Sequence, residues 1–471
     1  MSEAPHAGRE TLVSAPARAA RVRRQPGLKR YLGSLRIGPP TMVGVVTRVL
    51  GVMVEATAPE AKVGDFFRLG QGAKAIRAEV VAVKGRTVVL LPYGQLTGLG
   101  AGDVLIRLGS GDACQVGPGQ LGRVLDALGE PLDGGPTPAN TQATPLHRAP
   151  LALTERRPVN ERLVTGVRAL DTMVPLGKGQ RLGIFAGPGV GKSTLLGMLT
   201  KGCNADVVVM ALVGERGREV GHFVDDVIGS KGRARSIVVA ATSDRPASER
   251  VRAAFAATAM AEHFREQGKH VLLFVDSLTR LCMAQRDIGL ATGEPPTSKG
   301  YPPSAFSLLP RLLERVAPAR GRGSITGVYT VLVEGDDMSE PVADAARGLL
   351  DGHVVLARRL AARGHFPAID VLDSLSRLES ELLPASELQA ARRVRGLLAK
   401  LDESRELVAV GAYRPGTDAQ LDVALSLERD LQRFLQQRQD EQVLSRDAVQ
   451  QLAWLARESI EREIAVQGGA S

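Results

Sequence analysis

A chain of 471 residues is too long for one compact core, so two or three domains are expected. Its composition, 44% hydrophobic and 24% charged with no dominating residue type, is that of a soluble globular protein, and its longest strongly apolar run, Val207 to Val213, is far too short to span a bilayer. The net charge of +9 is uneven: residues 1–36 carry Arg9, Arg18, Arg21, Arg23, Arg24, Lys29, Arg30 and Arg36 against only Glu3 and Glu10.

No hydrophobic stretch follows those arginines, so the N-terminus does not read as a secretory signal. The arm reads either as a solvated tail or as a contact for nucleic acid, an anionic membrane or an acidic partner. Tyr31 is its single aromatic, which argues against base stacking. Leu28, Leu32 and Leu35 within Arg21–Arg36 allow a short amphipathic helix, broken near its start by Pro26 and Gly27. Cys114, Cys203 and Cys282 show no paired spacing; a reducing, cytoplasmic compartment is expected, without disulfide or metal roles.

From 37 to 108, short strands alternate with glycine-rich turns. Met42–Val54 is β-rich and interrupted by Gly44 and Gly51, Ala75–Val83 meets Thr87–Leu91 across Lys84-Gly85-Arg86, and Val104–Leu108 closes the set. This spacing predicts a small β-barrel. Gly129 to Pro150 reads as a linker. Between 109 and 380, unbroken apolar runs at Leu182–Ala186, Val207–Val213, Ile237–Ala241, Val271–Val275, Val328–Val333 and Val354–Ala357 alternate with helical segments such as Ala247–Gln267. Such runs predict strands buried on both faces of a mainly parallel sheet in an α/β nucleotide-binding core. From 381 to 471 the apolar positions recur at helical spacing, through Leu388, Ala391 and Val394, then Leu421, Ala424 and Leu431, then Val449, Leu452 and Leu455.

The chemistry begins at Ala186-Gly-Pro-Gly-Val-Gly-Lys-Ser-Thr194, directly after a strand. In Gly187, Pro188, Gly189, Val190 and Gly191 the glycines let backbone N–H groups wrap phosphates, and the helix opening near Lys192 adds its positive end. Lys192 suits the β- and γ-phosphates and the Ser193 hydroxyl suits Mg²⁺. Asp276, at the end of Val271–Val275, reads as a magnesium-side carboxylate acting through water, or as a turn cap. Ser277 follows it, so the water-activating group must come from another strand. Glu215, at the tip of Val207–Val213, would face the γ-phosphate across the sheet's carboxyl edge. A surface ion-pair cluster is the competing reading of Gly214-Glu-Arg-Gly-Arg-Glu219.

That hexapeptide, the P-loop, the 271–280 strand and Leu375-Ser-Arg377 resemble the catalytic subunits of rotary ATP synthases. Residues 293–303, 331–353 and 365–377 are more similar still to the type III export ATPases of flagella and injectisomes. The resemblance implies a RecA-type core, ATP hydrolysis with Mg²⁺, and ATP contacts from residues 187–194, Arg216 and Arg280. It implies Glu215 as catalytic glutamate, Glu219 as a further metal residue through water, and Arg377 as an arginine finger reaching the neighbouring subunit. Phe366 and Tyr413 fall where the family stacks aromatics on adenine; core packing is the alternative. Because Glu215 and Arg377 occur in one chain, a homohexamer could complete every site. Implied partners are a dimeric regulator on the N-terminal arm, a coiled-coil stalk protein, chaperones and substrates at the C-terminal domain, and a membrane export gate, at the inner face of the cytoplasmic membrane. Two competing functions are a Rho-type hexameric RNA translocase, against which the barrel's few aromatics (Phe66, Phe67, Tyr93) weigh, and a regulatory subunit without turnover, against which Lys192, Glu215 and Asp276 weigh.

Overall fold

The computed structural model describes residues 43–72, 75–333, 335 and 337–468. The basic arm 1–36, its segment Arg21–Arg36, and Met42 at the head of the first expected strand lie outside them.

Strands β1 (Val43–Leu50), β2 (Met53–Thr57), β3 (Asp65–Leu69), β4 (Ile76–Lys84), β5 (Thr87–Tyr93) and β6 (Val104–Ser110) close into a barrel in the order β1-β2-β5-β4-β3-β6. Period-2 alternation fills it: Val54, Ala56, Ala78, Val80, Val88 and Leu90 all turn inward and are fully buried. Gly44, expected to interrupt the first strand, lies within β1. A Cβ there would meet the Thr57 carbonyl oxygen at 2.5 Å, so glycine permits the close approach of β2.

The expected linker is partly a strand. β7 (Ala113–Val116) pairs antiparallel with β9 (Gln142–Pro145), and β8 (Val124–Leu125) joins the main sheet. Gln142–Pro145 carries no branched apolar run, so its glycine- and proline-rich surroundings dominated the sequence signal. A two-residue pair, β10 (Arg162–Leu163) with β11 (Leu176–Gly177), leads into the core.

The core sheet contains β12 (Arg181–Ala186), β13 (Val207–Val213), β14 (Ser236–Ala241), β15 (His270–Asp276), β16 (Ser324–Leu332), β17 (Gly352–Leu356) and β18 (Ile369–Ser376). Their order is β18-β17-β12-β16-β15-β13-β14-β8, parallel throughout except where β18 runs against β17. Each buried strand feeds two cores: Val208, Met210 and Leu212 face one, and Val207, Val209, Ala211 and Val213 face the other. The first core also receives α1 (Arg168–Met173) and α2 (Lys192–Gly202), the second α3 (Ala247–Glu266) and α4 (Leu278–Ala291). Alanines at 253, 254, 256, 257, 259 and 261 let α3 sit close against the strands, and all six are buried.

Helices α5 (Ala385–Ala409), α6 (Ala419–Leu435) and α7 (Ser445–Gly468) follow the apolar stripes read from sequence. Val394, Leu397, Leu427, Leu431 and Leu455 belong to the same buried cluster as Leu182, Ile184 and Leu196, so one core runs from the sheet into these helices. Among the described residues no helix is long and apolar enough to cross a membrane.

His270 opens β15 with its Nδ1 2.7 Å from Ser324 Oγ, and burial, reinforced by Lys178, lowers its pKa from 6.5 to about 4. The unfolded chain then binds the extra proton first as pH falls. Stability is complete above pH 6.5 and is lost as pH drops toward 4, by a total on the order of 3 kcal/mol. Denaturant unfolding across that window should show a shallower pH dependence for His270→Gln than for the parent; identical slopes would contradict this.

Candidate active site

Three parallel strands deliver the chemistry to one edge. The loop after β12 turns through Gly189 (φ 78°) and Gly191 (φ 94°), both in the left-handed region, and α2 begins at Lys192. Val190 is 2% exposed and plugs the core, which holds the loop down. The Ser193 side of the first turn faces outward, with Thr194 half-buried behind it.

The Lys192 ammonium lies 2.6 Å from Asp276 Oδ1, at the end of β15, and 3.1 Å from Glu215 Oε1, just past β13. Burial opposes its charge, but Asp276 and Glu215 outweigh that and raise its pKa, so it stays protonated. Asp276 also accepts a 2.5 Å hydrogen bond from Thr330 Oγ1 on β16. It is no turn cap, because the Ser277 side chain takes that role for α4 by accepting from the Arg280 N–H at 3.3 Å. Arg280 sits on the first turn of α4, with Nη1 3.3 Å from Glu215 Oε2 and donating to the Gly214 carbonyl. Burial pushes the Glu215 pKa up; Lys192 and Arg280 pull it down, while Asp276 and a hydrogen bond with Glu219 add to the rise. A buried carboxylate held this way at a sheet edge suits general-base work on a water.

Arg216 and Glu219 are exposed and pair with each other at 3.7 Å, and of the two only Glu219 also touches the buried cluster, through Glu215. A cavity of about 970 Å³ opens beside the loop, with Gly191, Thr194, Phe366, Phe434, Gln437 and Trp454 among its walls. A Cβ at Gly191 would lie 3.7 Å from the Phe366 ring, and Phe366 itself is 45% exposed. Tyr413 is absent from this cavity's walls, so the structure does not bring it beside Phe366 there. Its hydroxyl donates to Asp422 Oδ1 at 2.8 Å and is pinned in the turn between α5 and α6. The wall expected from Tyr413 comes instead from the segment after α6. Sequence reading also missed Thr330, Arg168 and Gln437; for Thr330 the signal was there, since it lies one position beyond the Val275–Tyr329 pair and hence beside Asp276.

Arg377 does not join this cluster. It follows Ser376 of β18, which pairs with Gly352 at the start of β17, whereas the loop leaves β12 beside Leu356 at the end of β17. Four residues of strand, about 13 Å, separate those levels. Arg377 is exposed there and its Nη2 donates to the Arg347 carbonyl at 3.2 Å.

Residues 166–376 match the ATP synthase alpha/beta family, nucleotide-binding domain, and residues 383–454 match the T3SS EscN ATPase C-terminal domain. The chain is 47% identical over 415 residues to the flagellum-specific ATP synthase of Bacillus subtilis, covering 88% of this chain and 94% of that relative. It is 48% identical over 416 residues to the type 3 secretion system ATPase of Xanthomonas euvesicatoria, covering 88% and 93%. The chain belongs to the flagellar and type III secretion ATPase family. Its fold matches the assembled ATPase EscN from the type III secretion system of enteropathogenic E. coli with a TM-score of 0.83 at 40% identity, over 88% of this chain and 100% of that one. Family membership displaces the RNA-translocase alternative, and the export ATPase's barrel agrees. Phe67 is fully buried, while Phe66 and Tyr93 pack together at 5.3 Å with the Arg252 guanidinium 4.9 Å from the Phe66 ring, so among the described residues of the barrel these three form no exposed platform.

The neighbours of Glu215 set a pH prediction. With Glu215 as the base, which must be ionised to act, its raised pKa should shift the acid limb of kcat/KM upward from that of a free carboxylate. Arg280→Ala removes a positive charge 3.3 Å away and should move that limb to higher pH, whereas Arg280→Lys should move it less. Superimposable profiles would exclude Glu215 as the titrating base.

Proposed function

We propose that this chain is the Mg²⁺-dependent ATP hydrolase that energises a type III protein export apparatus, working as a homohexameric ring. The observation that carries the reading is the division of one catalytic set between two edges of the sheet. Lys192, Glu215 and Asp276 share one cluster at the carboxyl edge, and Arg377 is exposed at the other, too far to serve its own chain's loop.

The residues fit magnesium. A hydroxyl at the start of α2, Ser193, and one buried carboxylate, Asp276, are hard oxygen donors of the number that Mg²⁺ takes when phosphates and water complete its shell. Bound there, the ion would neutralise charge on the phosphate oxygens. Backbone N–H groups of residue 187 and residues 189–194 cradle the phosphates, and Lys192 exchanges part of its ion pairing for them. Glu215, steadied by Arg280, orients the attacking water and takes its proton, with Glu219 beside it. Phe366 packs against the base. Arg377 of one subunit supplies positive charge to the phosphates held by the next.

EscN is described in complex with its central stalk, EscO, and the structural likeness in that complex is as close, with a TM-score of 0.82 at 40% identity. A stalk protein threading a ring of this chain follows by that likeness. In this reading residues 1–36 meet a dimeric regulator, residues 381–471 meet chaperones and substrates, and the ring works at the cytoplasmic face of the membrane before the export gate, without nucleic acid.

Glu215→Gln should retain nucleotide binding and lose at least about a hundredfold in kcat. Arg377→Ala should lose on the order of a thousandfold or more. Subunits of the two variants, mixed and shown to exchange, should recover part of the activity, because some interfaces then pair an intact Glu215 with an intact Arg377. Exchange without recovery would refute completion of the site by a neighbour.

A further inference from the structure

The outer wall of the nucleotide cavity is the segment Phe434–Glu441, and one side chain moors nearly all of it. Arg168, at the start of α1, is 7% exposed. Its Nη1 donates to the carbonyls of Arg433, Phe434 and Gln436 at 3.1, 3.0 and 3.2 Å, capping the end of α6, where unpaired carbonyls and the helix dipole favour a cation. Nη2 pairs with Glu441 Oε1 at 2.7 Å. The Arg168 backbone N–H donates to Gln437 Oε1 at 2.8 Å, and Gln437 Nε2 returns to the Gly166 carbonyl at 2.8 Å. The Gln437 backbone N–H then donates to the Phe366 carbonyl at 2.9 Å, which ties this wall to the aromatic on the other side.

We propose that Arg168 is a positioning residue for the nucleotide: by docking Phe434–Glu441 against the core it sets the width of the cavity at the base end, and so couples the placement of the C-terminal helices to nucleotide binding. Arg168 needs no contact with the phosphates to do this, and it takes no part in the hydrolytic step. The coupling runs both ways, since whatever tightens the wall tightens the nucleotide by the same factor. The proposal rests on the cavity being the nucleotide site.

The test uses the full-length chain, with Mg-ADP binding followed by calorimetry and ATP turnover followed in parallel. Arg168→Ala should raise the Kd for Mg-ADP and the KM for ATP about tenfold or more, with a smaller change in kcat. Arg168→Lys should recover only part of this, because an ammonium can pair with Glu441 but lacks the guanidinium fork that reaches the carbonyls. Glu441→Gln leaves the buried carbonyl contacts in place and removes only the charge paired with Nη2, so it should raise Kd by a smaller factor, and it serves if Arg168→Ala does not fold. A melting temperature lowered without any change in Kd or KM in the folded variants would overturn the proposal and leave the site intact. Parent protein that binds no Mg-ADP would overturn the site itself.

Discussion

The direction of the sheet is the constraint on which the rest depends. β12, β13 and β15 run parallel, so their carboxyl ends reach the same edge, and the three residues at or just beyond those ends arrive together without any long-range search. Lys192, Glu215 and Asp276 stand 23 and 84 residues apart along the chain, counted from Lys192, and meet within 3.1 Å of one ammonium. Two negative charges around one positive charge, nearly out of water, are tolerable because each carboxylate has a second partner, Thr330 for Asp276 and Arg280 for Glu215. The two carboxylates are therefore each fixed by a second partner, whereas the lysine side chain keeps several rotatable bonds through which its ion pairs can be exchanged.

Much of this was legible in the sequence because strands buried on both faces leave a strong mark. Val207–Val213 has the bounds expected of it, and the other apolar runs differ from their strands by a few residues at the ends. The phosphate loop was legible for a different reason, since its backbone conformation admits only glycine at 189 and 191. What escaped were elements whose residues answer to neighbours rather than to their own pattern. β18, Ile-Asp-Val-Leu-Asp-Ser-Leu-Ser, lies at the edge of the sheet and is only half buried, so it gives no apolar run. β9 hides among prolines and glycines, and β3 is a strand of five residues of which two, Asp65 and Arg68, are charged.

The candidate site divides in the same way. Residues fixed to strand ends were readable from position and chemistry, and family likeness added Arg280 and Arg377. The base end of the cavity was not readable, because its wall is a segment without periodicity, held by the side chain of Arg168 more than 260 residues earlier in the chain. Tyr413 is placed apart from Phe366, with its hydroxyl donating to Asp422.

If Arg377 serves a neighbour's phosphate loop as proposed, their placement at opposite edges of one sheet also limits the symmetry of a working assembly. A contact that sets one edge against the other in the same sense from copy to copy is heterologous, with different surfaces on its two sides. A two-fold dimer, which joins like to like, can form without completing a single site. Copies joined head to tail must instead close on themselves or continue as an open helix, so the angle between successive subunits, rather than the strength of their contact, decides whether a machine or a filament results.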